Sequence, residues 1–301
     1  MKKSTGISIL LCTALILGCA TKKGSSTSNR KSFVDMETPT STRPLILLDS
    51  TATKTNKTRW KLVFSDEFND NIIDTTKWNI GDHPKKRKDV MVASTKEQLE
   101  EKDGKIFLYY QKSKINDTTY LAGRFNSKNK FSLKYGYYET RIHLVKPNGY
   151  QTAFWLMPNS NGMSNDNSPD GTANDGAEVD IVEGNKLNAF STGLHWDGYA
   201  KGVHKGKGKV IKDPKIHDTE YHTFGFEWTP TYLKWYYDGK QVRMETDAHL
   251  IPQVAHYVLI TGSCFGENDW LNGDVRKNEM IQNGGIDKGY VDYVRVFEFK
   301  N

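Results

Sequence analysis

Between Trp60 and Phe299 apolar residues recur with a period of two or in unbroken runs of strand length, and nowhere with the 3.6-residue period of a long helix. WKLVFSDEF, KIFLYYQKS, YGYYETRIHLV, TAFWLMP, AEVDIVEG, YHTFGFEWTP, YLKWYYDGKQVRM, HYVLITGS and VDYVRVFEF are such segments, separated by Gly, Asp, Asn and Pro. Tyr237-Asp238-Gly239-Lys240 places an Asp-Gly pair between two of them, a strong signal for a tight hairpin. Many antiparallel strands over about 240 residues predict an all-β chain folded as one β-sandwich. The stretch is too long for an immunoglobulin-type module and has no internal repeat of the kind a propeller needs. With 37% apolar and 12% aromatic residues, a chain of 301 residues has the material for a buried core.

The first residues do not belong to that core. Lys2 and Lys3 precede a mostly apolar run from Ile7 to Leu17, and Ile-Leu-Gly then leads into Cys19. The run is too short for an ordinary spanning helix and reads as an export leader. Its end resembles the bacterial lipoprotein processing site, which implies a lipid on Cys19, a membrane anchor and a place in the cell envelope, with plain secretion as the alternative. Residues 20–57 are rich in Ser, Thr and Lys and read as a flexible tether, so the domain plan is leader 1–19, tether 20–57 and folded domain 58–301. Of the formal net charge of +6, Lys2 and Lys3 supply +2 and the tether, with seven Lys or Arg against three acids, supplies +4; residues 58–301 are neutral. Once the leader is gone, Cys264 is the one cysteine left in the folded segment, so no internal disulfide is expected. Two basic clusters remain, Lys85-Lys86-Arg87-Lys88 and the series Lys201, His204, Lys205, Lys207, Lys209; both read as solvated loops, and neither carries a nucleic-acid recognition motif. No partner chain is implied, and a monomer is expected.

Residues 177–184, AEVDIVEG, break the alternation. Glu178 and Asp180 are two apart and share a strand face, whereas Glu183 comes one residue too late. A helix would point Glu178 and Asp180 to nearly opposite sides, and Val179, Ile181 and Val182 favour a strand. A β-bulge absorbing the extra residue at Ile181 or Val182 would return Glu183 to the face of the other two acids and bend the strand so that the side chains converge. Carboxylates so crowded push one another's pKa values apart, which suits glycoside hydrolysis with one ionised nucleophile and one protonated acid about 5 to 5.5 Å apart.

GAEVDIVEG resembles the Glu-x-Asp-x-x-Glu signature of glycoside hydrolase family 16, the laminarinase, agarase and carrageenase group. WKLVFSDEF resembles that family's first strand, AGRFNSKNKFSLKYGYYETRI its Gly-Arg segment and following strand, TAFWLMP its Ala-Phe-Trp strand, and VDYVRVFEF its last strand. The resemblance implies a concanavalin A-like jelly roll with a concave substrate cleft. It also implies Glu178 as nucleophile, Glu183 as general acid/base, Asp180 between them, and Arg141 and Trp155 lining the cleft. By position after the acid strand, His195 is expected to contact substrate and Trp196 to face the core; Trp270 is the candidate for a further cleft aromatic. No cofactor is required, and a structural calcium is expected at most near Glu67 and Asp292. Asp166, Ser168, Asp170 and Gly171 imitate the start of a calcium loop, but Ala177 stands where the bidentate Glu belongs, so the segment is read as a cleft wall. The expected activity is endo-hydrolysis of a β-1,3- or mixed β-1,3-1,4-glucan with retention. Alternatives are a marine galactan such as agar, porphyran or carrageenan, or a non-catalytic carbohydrate-binding module.

Overall fold

The computed structural model describes residues 59–87, 89–159, 169–218, 220–267 and 271–300. The leader, Cys19, the tether, Lys88, Asp166, Ser168 and Trp270 lie outside the described residues. Among the described residues the chain is a two-sheet sandwich with a single four-residue α-helix, Glu279–Gln282.

One sheet runs in the order Lys205–Gly206, Ala189–Trp196, Glu178–Lys186, Tyr150–Pro158, His256–Cys264, Arg124–Asn126 and Asn79–Ile80, with Lys209–Lys212 also paired to Ala189–Trp196. The other has Gly136–His143 and the long strand Asp287–Lys300 at its centre, flanked by His222–Trp228 on one side and Lys105–Lys112 and Arg59–Asp66 on the other. Alternation decides what each strand presents. In Tyr150–Pro158, Phe154 and Leu156 point into the sandwich while Ala153, Trp155 and Met157 face the other way; Val258 and Ile260 against Tyr257, Leu259 and Thr261 do the same one strand over. The second sheet answers with Ile106, Leu108, Tyr138, Ile142, Phe224, Phe226, Val294 and Val296, all in the same core. Each large side chain so buried contributes roughly 1.5–3 kcal/mol, which fixes the register and hence which side chains are left on the outward face.

The hairpin expected at Asp238-Gly239 is present: Tyr237 pairs with Lys240, and both turn residues have positive φ, 46° and 77°. Both basic clusters, read from the sequence as loops, contain edge strands instead. Asp82–Arg87 pairs with Val90–Ser94, and Lys205–Gly206 and Lys209–Lys212 extend the edge of the first sheet. An edge strand has one ladder to satisfy and needs no apolar alternation, and Lys and Pro84 are residues that keep such an edge from pairing further.

Candidate active site

The acid strand Glu178–Lys186 carries the bulge that the spacing of its acids predicts. Against Ala189–Trp196, Asp180 pairs with Gly193 and Glu183 with Ser191, so two residues, Ile181 and Val182, oppose the single Thr192. Against Tyr150–Pro158, Trp155 pairs with Asp180 and Phe154 with Val182, so Ile181 is the residue left over. Ile181 and Val182 are both buried in the core, and Glu178, Asp180 and Glu183 all reach the floor of one cleft of ≈ 1210 Å³. Trp235 Nε1–H donates to the Asp180 carbonyl at the bulge (3.0 Å), satisfying a main-chain group where the ladder is disrupted. Gly193, across the ladder, leaves the space that the Asp180 carboxyl occupies; a Cβ there would sit 2.2 Å from Asp180 Oδ2.

Burial and mutual repulsion separate the three acids. Burial pushes Asp180 well above the usual carboxylate range, and the charges of Glu178 and Glu183 add to it, so its neutral form is favoured more than that of a free carboxyl. Burial and the neighbouring Glu178 raise Glu183 to about 7. Burial also raises Glu178, but the Tyr199 hydroxyl, which donates to Glu178 Oε2, and the Arg87 charge both favour its ionised form. One ionised and one protonated carboxyl on a single face are the components of double displacement at an acetal carbon. His195 pairs with Glu178 in the ladder, and its Nε2 lies 3.5 Å from Asp180 Oδ2. Burial lowers its pKa to about 4, so the ring is neutral there. Glu178, Asp180 and His195 are, among the described residues, the one group of potential ligand atoms close enough to share a cation, within 4.8 Å of one another. The acid chemistry accounts for that grouping with no ion.

Residues 60–299 match the family described as beta-porphyranase A-D, GH16 domain. The chain belongs to glycoside hydrolase family 16. Among its relatives, the beta-glucanase of Rhodothermus marinus is 26% identical over 261 residues, covering 80% of this chain and 86% of that protein. The xylanase/beta-glucanase of Ruminococcus flavefaciens is 33% identical over 157 residues, 52% of this chain, and the chain spans only 17% of that protein's length. The laminarinase catalytic domain of Thermotoga maritima superposes with a TM-score of 0.62 at 22% identity, over 80% of this chain and 99% of that one, and shares the jelly-roll sandwich fold.

Within this GH16 domain the other expected site residues divide. Trp155 stands in the cleft wall directly across the ladder from Asp180, half-buried, with its indole N–H on Thr261 Oγ1 (3.0 Å). His195 also lines the cleft, and Trp196 faces the core. Arg141 does not line the cleft. Its strand, Gly136–His143, belongs to the opposite sheet, and its guanidinium lies over the Tyr221 ring with Nε 3.1 Å from Asp292. Of the two arginines in the stretch that carried the family resemblance, the one that lines the cleft is Arg124, of the Gly-Arg segment, which was assigned no role. Glu67 and Asp292 are likewise committed to arginines: Glu67 makes a two-pronged contact with Arg295 (2.8 and 2.6 Å), and Asp292 faces Arg141. Two acids already matched by guanidinium charge do not fit a divalent cation. Tyr199, His204 and the basic strand were not singled out for the site by sequence reasoning; the lysine-rich composition after His195 was the only signal.

Proposed function

We propose that the protein is a retaining endo-hydrolase of a β-linked polysaccharide. The observation that carries this reading is the bulge that brings Glu178, Asp180 and Glu183 to one face on the floor of an open cleft. In the first step Glu178 Oε bonds to the anomeric carbon, the glycosidic C–O bond breaks, and the Glu183 proton passes to the leaving oxygen. In the second, Glu183 takes a proton from water, whose oxygen bonds to the same carbon as the glycosyl ester breaks. Burial and the charges of its two neighbours bias Asp180, between them, toward its neutral form. Because Glu183 must hold its proton to act as the acid, kcat/KM is expected to fall as pH rises through about 7. A pH–rate profile flat up to pH 9 would contradict that assignment.

Six basic residues, Lys85, Lys86, Arg87, Arg124, Lys128 and Lys209, line the cleft. Although the folded segment as a whole is neutral, the cleft lining holds these six basic residues against three acids, Glu178, Asp180 and Glu183, and the arginine fork matches an oxyanion such as sulfate. With the β-porphyranase description of the matching family, this supports a galactan bearing anionic groups. The names of the β-glucanase relatives support a second reading, a β-1,3- or mixed-linkage glucan, for which Trp155 and Tyr257 would supply apolar surface. Incubation with porphyran, agarose, carrageenan, laminarin and lichenan followed by product sizing separates them. Short oligosaccharides from a galactan support the first, digestion of glucans alone supports the second, and tight binding with no cleavage of any would overturn the hydrolase in favour of a binding module.

The leader and Cys19 support export and lipid anchoring in the cell envelope. Cys19→Ala is expected to move the protein from the membrane to the soluble fraction on cell fractionation; an unchanged distribution would contradict the anchor.

A further inference from the structure

After Trp196 the chain enters a turn in which Asp197 (φ 61°) and Gly198 (φ 74°) are both left-handed. The turn is held from below: Asp197 is buried and accepts from the Gly171 amide (3.2 Å), and Trp196 Nε1–H donates to the Gly171 carbonyl (3.2 Å). Two side chains are thereby delivered to the site. Tyr199 donates its hydroxyl to Glu178 Oε2, and His204, whose ring lies 6.2 Å from that of Tyr199, meets His195 Nδ1 through Nε2 at 3.1 Å. Tyr199 is 52% exposed, so its place is not explained by core packing.

We infer that Tyr199 is a positioning residue for the nucleophile, its hydroxyl holding the Glu178 carboxylate aimed and ionised and easing its departure when the glycosyl ester is cleaved. This rests on the hydrolase reading above. A hydroxyl donating to a carboxylate stabilises the charged form, which the attacking state and the departing state share and the ester lacks. The hydrogen bond therefore makes Glu178 a better leaving group in the second step, at some cost in basicity in the first. The groups facing Glu178 are Asp180 and Glu183 from its own strand, His195 across the ladder, Arg87 from the basic edge strand, and Tyr199. Of these, Tyr199 and Arg87 favour its charge, while burial disfavours charge on Asp180 and leaves His195 neutral.

The test is Tyr199→Phe, which keeps the ring and removes the donor. With glutamate carboxyls labelled with ¹³C, and the Glu178 signal assigned by its loss in Glu178→Gln, the Glu178 titration midpoint is expected to rise by about one pH unit, the size of one charge-assisted hydrogen bond. The acid limb of kcat/KM should move upward with it, and kcat should fall more than kcat/KM because the second step is slowed. A Glu178 midpoint unchanged in Tyr199→Phe would overturn the inference even if activity fell, since a merely structural loss leaves that midpoint where it was. The titration needs no substrate, so it stands apart from a wild-type protein that cut no polysaccharide, a result that would count against the hydrolase reading.

Discussion

Glu178→Gln is expected to lower kcat by roughly a thousandfold or more while the protein keeps its fold and its grip on substrate. The substitution is nearly isosteric and places an uncharged amide where burial already penalises charge, so the strand and the cleft have no reason to rearrange. What disappears is the proposed nucleophile. Tyr199 keeps an acceptor in the amide oxygen, and Asp180 loses one of the two charges that raise its pKa, so it titrates lower in the variant. Steady-state kinetics on the polysaccharide identified by product sizing, with circular dichroism as the control for folding, checks this; undiminished turnover would remove Glu178 from the chemistry.

The second large effect comes from a pair of single-residue deletions that differ only in where they fall. Removing Val179 leaves Glu178 and the aspartate adjacent, hence on opposite faces of the strand, and is expected to abolish hydrolysis. Removing Ile181 takes away the residue that the ladder already leaves over. The remaining Glu-x-Asp-x-Glu alternates regularly, so the three acids stay on the cleft face. That variant loses a buried side chain and with it roughly 2–5 kcal/mol of stability, but retains measurable turnover at low temperature. Activity of the two deletions measured side by side, each shown folded, distinguishes a bulge that serves the site from one that is incidental. Equal loss in both would mean that the bulge geometry itself, beyond the shared face, is needed.

How much of this was legible in the sequence varied with how local the determining physics is. The bulge was legible because Glu183 stands one residue out of step in an otherwise alternating strand, and the core residues around it leave the register no freedom. The hairpin at Asp238-Gly239 was legible for a similar reason, two adjacent residues that must take positive φ. Arg141 was placed on the wrong face of the molecule because one resembling stretch holds two arginines, and which strand joins which sheet depends on pairing between distant segments. The cleft-lining basic strand Asp82–Arg87 was read as a loop because an edge strand carries no periodic signature. Tyr199 was invisible as a partner of Glu178: the two lie in different segments, and their meeting depends on the left-handed turn at Asp197 and Gly198 and on its tether to Gly171.

The most direct test of the account is the stereochemistry of the first product, read by ¹H NMR of the anomeric protons in the opening minutes of digestion, before mutarotation. Two carboxyls brought to one face of the cleft and acting by double displacement predict that the new reducing end appears first as the β-anomer. Initial appearance of the α-anomer would mean that water attacks directly from the opposite side, and Glu178 would not be the nucleophile.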